Sequence, residues 1–392
     1  MTSFRTKALK TLAIASLSAL AFAGQAQAQA QAQAPQPIKV GVIFPLSGGA
    51  GPQGQHVTQA IQVMAAIINE SGGVLGRPIE ILSRDDESTP AVGVSRANEL
   101  ISAGVSVIIE GWNSPVTLAM QPVINRANIL DITAISKADP ILSGEGNPYA
   151  IRLNSSNSQD GAVIAKYIAG TKAKRIAFLT ENDAYGNGAQ ESIEAALKKL
   201  NYAYEKVAEE KFPFNQADFR VALTNVRAAN PEVTIAINAN EGLGMPALIR
   251  QARQSRLPGQ LVAAVGTVAP SVISVAGDAA NGVIGADIYF PDVEPFASNE
   301  ANKKFVAKTQ EMFKYTPDKF MALGATSLQV WAMAVNEVKS LDKEPVAKRI
   351  RGGSFKGTIF GDITFAANGQ LESSHKLFTI ENQKIVVRPE SN

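Results

Sequence analysis

The residues best placed to do chemistry sit in polar turns that follow apolar runs. Gly111-Trp112-Asn113-Ser114-Pro115 comes directly after Val105–Ile109. Ser114 reads as a helix N-cap and Pro115 as the first helical residue. A hydroxyl and free backbone N–H groups at such a start suit an anion such as a carboxylate. A plain cap accounts for the same residues equally well. Thr133-Ala134-Ile135-Ser136-Lys137 follows the next apolar run and is a similar candidate. Thr180-Glu181-Asn182-Asp183-Ala184-Tyr185-Gly186 is a third, in which Tyr185 could supply an aromatic wall. Packing in a core or on the surface is the commoner fate of one tyrosine.

Other chemistry finds little support. With no cysteine in 392 residues, there is no disulfide, thiolate metal site or cysteine nucleophile. A lipid anchor built on cysteine is excluded too. Only His56 and His375 are histidines. Each reads as a solvated or packed side chain, and no paired-histidine spacing points to a metal. There is no G-x-S-x-G nucleophile elbow. Gly48-Gly49-Ala50-Gly51-Pro52-Gln53-Gly54 follows the first apolar run. It lacks the Lys-Ser/Thr ending of a phosphate loop and reads as a flexible strand-to-helix turn. Asp85-Asp86-Glu87 reads as a solvated strand end. No cofactor is expected.

These turns need strands to carry them. Ile38–Leu46 is nearly continuous apolar, as expected of a parallel strand buried on both faces. Short apolar runs then alternate with helical spacing. The first series has strands at 79–83, 105–109 and 129–133 and helices at 55–70, 92–103 and 115–127. A second series begins after Leu153. Its strands are expected at 175–180, 204–209, 233–238 and 261–265, and its helices at 160–170, 188–200, 217–229 and 244–255. Each series makes an α/β lobe with a parallel sheet. Two long helices, Asn299–Phe313 and Phe320–Leu341, return to cover the first lobe. A β-rich tail joins the second. The chain then crosses between lobes near Leu153, Ala286 and Gly357.

The N-terminus fits a secretory signal. Arg5, Lys7 and Lys10 precede the uncharged apolar stretch Thr11–Ala23, and small-residue sites follow. That stretch falls short of the about 20 apolar residues of a spanning helix. The expected signal is 1–28, with cleavage between 23 and 34. Residues 29–37 form a low-complexity leader. The formal charge of +2 falls to about −1 once the signal is removed. That argues against a nucleic-acid partner. No later segment spans a membrane, so a periplasmic protein is expected. Its expected state is a monomer.

Taken with these features, IKVGVIFPLSG, INESGGVLGRPIEILSRDDESTP, the turn Asn182–Gly186 and IRQARQSRLPGQ followed by GDAANGVIGA resemble the periplasmic solute-binding proteins of the Leu/Ile/Val-binding type. These serve ABC importers. The resemblance covers essentially the whole mature chain. It implies two doubly wound α/β lobes joined by a three-crossover hinge, the type I periplasmic binding fold. Residues 38–153 with 287–357 form one lobe, and 154–286 with 358–388 the other. It implies capture of a small molecule for ABC permease subunits, and no catalysis.

The resemblance also implies site residues. Ser114 matches the serine that takes the ligand carboxylate, flanked by Trp112 and Asn113. Ser136 and Lys137 fall at contacting positions of the next turn. Tyr185 matches the second-lobe tyrosine, and Gln53 stands where a first-loop aromatic is often found. Amino-acid binders place an acid after the strand near Leu261 to pair with the ammonium, and here that position holds Val265. A buried ammonium without a partner is costly. Either Glu241 takes over, or the ligand has no ammonium. Lys137 could serve a carboxylate or point to solvent. Together these favour a carboxylate without an amine, an aromatic or aliphatic acid. A clamshell that signals to a membrane receptor and a periplasmic enzyme are the rival readings.

Overall fold

The structure is a computed structural model that describes residues 35–143 and 146–388. The expected signal 1–28, and the leader up to residue 34, lie outside the described residues. The first sheet is all parallel, in the order β2-β1-β3-β4-β5. Its strands are β1 (Ile38–Phe44), β2 (Ile79–Asp85), β3 (Val107–Glu110), β4 (Leu130–Thr133) and β5 (Ile151–Arg152). Strands β3 and β4, VIIE and LDIT, are wholly buried. Helices cover both faces, which is why the run at β1 is apolar rather than alternating. Helix Gly51–Glu70 and helix Lys319–Val338 pack together over one face, around Trp331 and Phe44. Helices Pro90–Ser102 and Ser114–Arg126 cover the other, around Ile43, Leu100 and Ile108. Each such side chain contributes about 1.5–3 kcal/mol on burial.

The second sheet runs β14-β13-β10-β9-β8-β6-β7. Its parallel part is β6 (Arg175–Glu181), β7 (Glu205–Phe212), β8 (Val233–Ile237), β9 (Gln260–Ala263) and β10 (Ile284–Asp287). A separate hairpin, β11 (Ser354–Thr358) and β12 (Gly361–Thr364), stands apart. The antiparallel strands β13 (Lys376–Glu381) and β14 (Lys384–Val387) then close the edge beside β10. Helix Pro270–Ala276, helix Lys343–Ile350 and strand β10 are not foreseen in the sequence reading. All are short, and β10 carries only four residues.

The chain crosses between lobes after Arg152, after Asp287 and between Leu371 and Lys376. The third crossing is not at Gly357, and residues 358–371 do not join the second lobe. Phe355, Ile363, Phe365 and Leu371 bury themselves in the first core. Gly357, at φ +67, belongs to the irregular part of the β11–β12 hairpin. Burial of four large apolar side chains decides the lobe, and β propensity alone could not. Leu371 N donates to Arg152 O (2.9 Å), and Arg152 Nε donates to Gln370 Oε1 (2.7 Å), tying the first and third crossings together.

Close packing of the two long helices rests on Gly324. A Cβ there would lie 2.6 Å from Val57 Cγ1. Gly324→Val should lower stability by about 1–3 kcal/mol through overpacking. A urea midpoint equal to that of the wild type would show that this contact is not tight.

Candidate functional site

In both sheets the parallel strands end facing the interlobe cleft, where open α/β sheets bind ligands. From the first lobe come Trp112 after β3 and Ile135 and Lys137 after β4. From the second come Tyr185 after β6, Ala239 and Glu241 after β8, and Val265, Gly266 and Thr267 after β9. Lys319 and Phe320, at the start of their helix, complete the walls of a chamber of about 30 Å³. Asp318 caps that helix through Met321 N (3.1 Å) and so fixes where Lys319 emerges.

The lobes are closed on one another. Trp112 Nε1 donates to Ala239 O (3.4 Å). Lys137 Nζ donates to Val265 O (2.8 Å) and to Asp160 Oδ2 (2.5 Å). Lys319 Nζ donates to Gly266 O (3.0 Å) and lies 3.6 Å from Asp287. The Gly49 carbonyl sits 1.9 Å from where a Gly242 Cβ would be, so the rim is also shut. Gly266 is required twice over. Its φ is +76, and a Cβ would lie 2.0 Å from Lys319 Nζ and 3.5 Å from Lys137 Nζ. The two ammonium groups therefore flank one backbone position.

Burial sets the charge states. It pulls the Lys137 ammonium down, against the holding effect of Asp160. Burial alone would raise the Asp160 carboxyl, but Lys137 and His375 bring it to about 2. His375 Nε2 lies 2.9 Å from Asp160 Oδ1, so this histidine is packed at the third crossing and not solvated. Burial pushes the Glu241 carboxyl well above its usual range, and its Oε2 has no hydrogen-bond partner. The Tyr185 hydroxyl is likewise raised by burial. Trp112 and Phe320 meet at 4.9 Å between ring centroids, tilted by 43°.

Of the residues singled out in the sequence, Trp112, Lys137, Tyr185, Glu241 and Val265 line the chamber. Lys137 does not point to solvent. Val265 acts through its carbonyl. Asn113, not Ser114, holds the N-cap position, and the helix begins at Ser114. Ser114 Oγ accepts from Lys137 N and Ala138 N, both at 3.2 Å, which fixes the Lys137 loop. Ser136 Oγ lies 2.8 Å from Thr117 Oγ1, which donates to Glu110 Oε2 at 2.6 Å. Gln53 is buried at the start of helix Gly51–Glu70, close to Gly242 at the rim. Asn113, Ser114, Ser136 and Gln53 stand behind or beside the chamber walls. Lys319, Phe320 and Asp160 are missed by the sequence reading. Lys319 carries no local signal beyond following a helix cap, and Asp160 reads as an ordinary first-turn acid. Among the described residues no cluster of three or more His, Asp or Glu could hold a metal ion. No described helix is long and apolar enough to cross a membrane.

A family model for periplasmic binding proteins matches residues 37–384. The chain is 26% identical over 334 residues to a Leu/Ile/Val-binding protein homolog of Brucella abortus, covering 85% of this chain and 87% of that one. It is 26% identical to the Leu/Ile/Val-binding protein BraC3 of Rhizobium johnstonii, covering 89% and 93%. Among solved structures it superimposes on a leucine-binding protein of Thermotoga maritima with a TM-score of 0.79 and 25% identity, covering 90% and 98%. A solute-binding protein of R. palustris in complex with benzoate gives 0.81 at 23% identity, covering 90% and 95%.

Asp160 supports the closed form by staying ionised. Its carboxyl titrates at about 2 against an ordinary 3.8. The support is present above the ordinary value and is lost as the pH falls through about 2. Removing one partner of a buried pair costs about 3–5 kcal/mol. Asp160→Asn should therefore enlarge the radius of gyration at pH 7 in small-angle scattering. A variant as compact as the wild type, with or without ligand, would remove this pair from the closure energy.

Proposed function

This chain belongs to the periplasmic binding protein family, and from that premise we propose that it is the solute-capturing component of an ABC importer whose ligand is a small carboxylate with an apolar body. The observation that carries this reading is the pair of buried ammonium groups facing one chamber. Each lysine ammonium has three donors. Lys137 commits two, to Asp160 and Val265 O. Lys319 commits one to Gly266 O and leans on Asp287. Both retain a donor for a ligand oxygen. Trp112, Phe320 and Tyr185 offer aromatic walls for the rest of the ligand.

Binding then favours closure, because Lys137 and Lys319 reach their second-lobe partners only when the lobes meet. A ligand that bridges the same groups shifts the population towards the closed form. Ser114, Ser136 and Asn113 act as supports for the loops that present Trp112 and Lys137. The protein works in the periplasm after loss of its 1–28 signal, as a monomer, and hands its ligand to permease subunits without chemical change. The relatives are binding proteins in name, which supports this over an enzyme. A receptor-coupled sensor would use the same clamshell.

Glu241 favours a second reading. Glu241 lines the chamber and its Oε2 is buried without a partner, which an ammonium, as in an amino acid, would supply. The curated relatives are named for Leu, Ile and Val binding. A protonated Glu241, which burial favours, instead presents a neutral group beside a carboxylate. Calorimetry on leucine against 4-methylpentanoate, and phenylalanine against 3-phenylpropanoate, separates the two. Tighter binding of the deaminated acids is expected. Binding of the amino acids alone would return the site to amino-acid capture through Glu241.

Lys319→Met should weaken the preferred acid by about 10- to 100-fold. That is the equivalent of one hydrogen bond to a charged group, about 1.5–3 kcal/mol. Unchanged affinity would remove Lys319 from the site.

A further inference from the structure

The cleft does not end at the chamber. On the other side of Lys319 lies a larger cavity of about 570 Å³, against about 30 Å³ inside. Small-molecule sites run at about 300–1,000 Å³. Both lobes build it. The first lobe supplies the loop 316–319 and Tyr289. The second supplies helix Pro270–Ala276 and the β13–β14 turn. Lys319 is the partition, because it alone lines both spaces. It is held across the cleft by Gly266 O at 3.0 Å and by Asp287 at 3.6 Å.

The two spaces differ in charge. The inner one is lined by Lys137, Lys319 and Glu241, whose carboxyl burial pushes towards its neutral form. The outer one is lined by Asp287, Asp292 and Asp318 together with Lys319 and Lys384, and by apolar residues that include Ile273 and Phe290. An anionic head is attracted inward. A second anionic group outside would face three acids. An uncharged apolar chain meets apolar surface there.

We propose that the outer cavity is a tail subsite. The ligand carboxylate rests on Lys137 and Lys319, and an apolar chain longer than an amino-acid side chain passes Lys319 into the outer space. The occupant is a monocarboxylic acid with an extended aryl or alkyl body. This inference rests on the carboxylate reading above and adds the length and polarity of what is captured.

Calorimetry on the mature protein tests it with three probes: benzoate, 4-phenylbutanoate and 4-(4-carboxyphenyl)butanoate. Ser274 is exposed, lines the outer cavity and has no part in the inner chamber. Ser274→Trp fills the outer space without touching the head site, and Ser274→Ala serves as its control. The expected result has three parts. The 4-phenylbutanoate probe binds at least tenfold tighter than benzoate, and the dicarboxylate loses at least tenfold against it. Ser274→Trp abolishes the length advantage while leaving benzoate unchanged, and Ser274→Ala alters neither. Benzoate binding with no gain from length, or an equal loss of both acids in Ser274→Trp, would overturn the tail subsite and leave the head reading standing. Failure of all three acids to bind would overturn both.

Discussion

The closed molecule depends on one buried charge and where its partners lie. Lys137 is about 5% exposed, and an ammonium so buried is costly unless it is paired and hydrogen-bonded. The loop that carries it belongs to the first lobe. Both of its side-chain partners, Asp160 and the Val265 carbonyl, belong to the second. Opening the cleft strips them away and returns the ammonium to water. Closing it requires the two lobes to meet in one register, because a hydrogen-bonded pair tolerates little displacement.

Much of the surrounding structure serves that geometry. Ser114 accepts from the backbone of Lys137 and Ala138. Glu110, Thr117 and Ser136 form a buried hydrogen-bonded chain beneath the same loop. Gly266, at φ +76, leaves room for Lys319 Nζ, which a Cβ there would meet at 2.0 Å. His375 holds the far oxygen of Asp160 from the third crossing. The hinge is therefore wired to the chamber, since His375 in the third crossing and the chamber-lining Lys137 share the Asp160 carboxylate.

The same logic explains why strand ends carry the site. Five parallel strands in each lobe deliver their carboxyl ends to the cleft, so short polar turns from distant segments converge there. Rigid sheets fix the turns, and three crossings join the lobes, an arrangement that suits hinge closure. Ligand selection then falls to a few groups. On the proposed reading the ammonium pair sets the sign of charge and the aromatic walls set shape, while Glu241, buried without a partner at Oε2, stands opposite the proposed carboxylate.

The sequence by itself determined the two α/β series, the apolar strands, the polar turns at their ends and the family resemblance. Turns at the ends of apolar runs led to Trp112, Lys137 and Tyr185, and the family resemblance alone led to Glu241 and Val265. Tertiary structure alone decided which turn groups face the cleft. Ser114 and Ser136 look as suitable as Lys137 in the sequence, yet their hydroxyls are engaged within the first lobe. Lys319 and Asp160 stand far from the candidate turns in the chain, and nothing local tells a buried lysine from a solvated one. The third crossing was misplaced for the same reason: Phe355, Ile363 and Phe365 fit any apolar sheet face, and only the shape of the first core selects them. Local patterns follow from bonds and neighbours in the chain. Side-chain partnerships across a cleft follow from packing that no short stretch of residues contains.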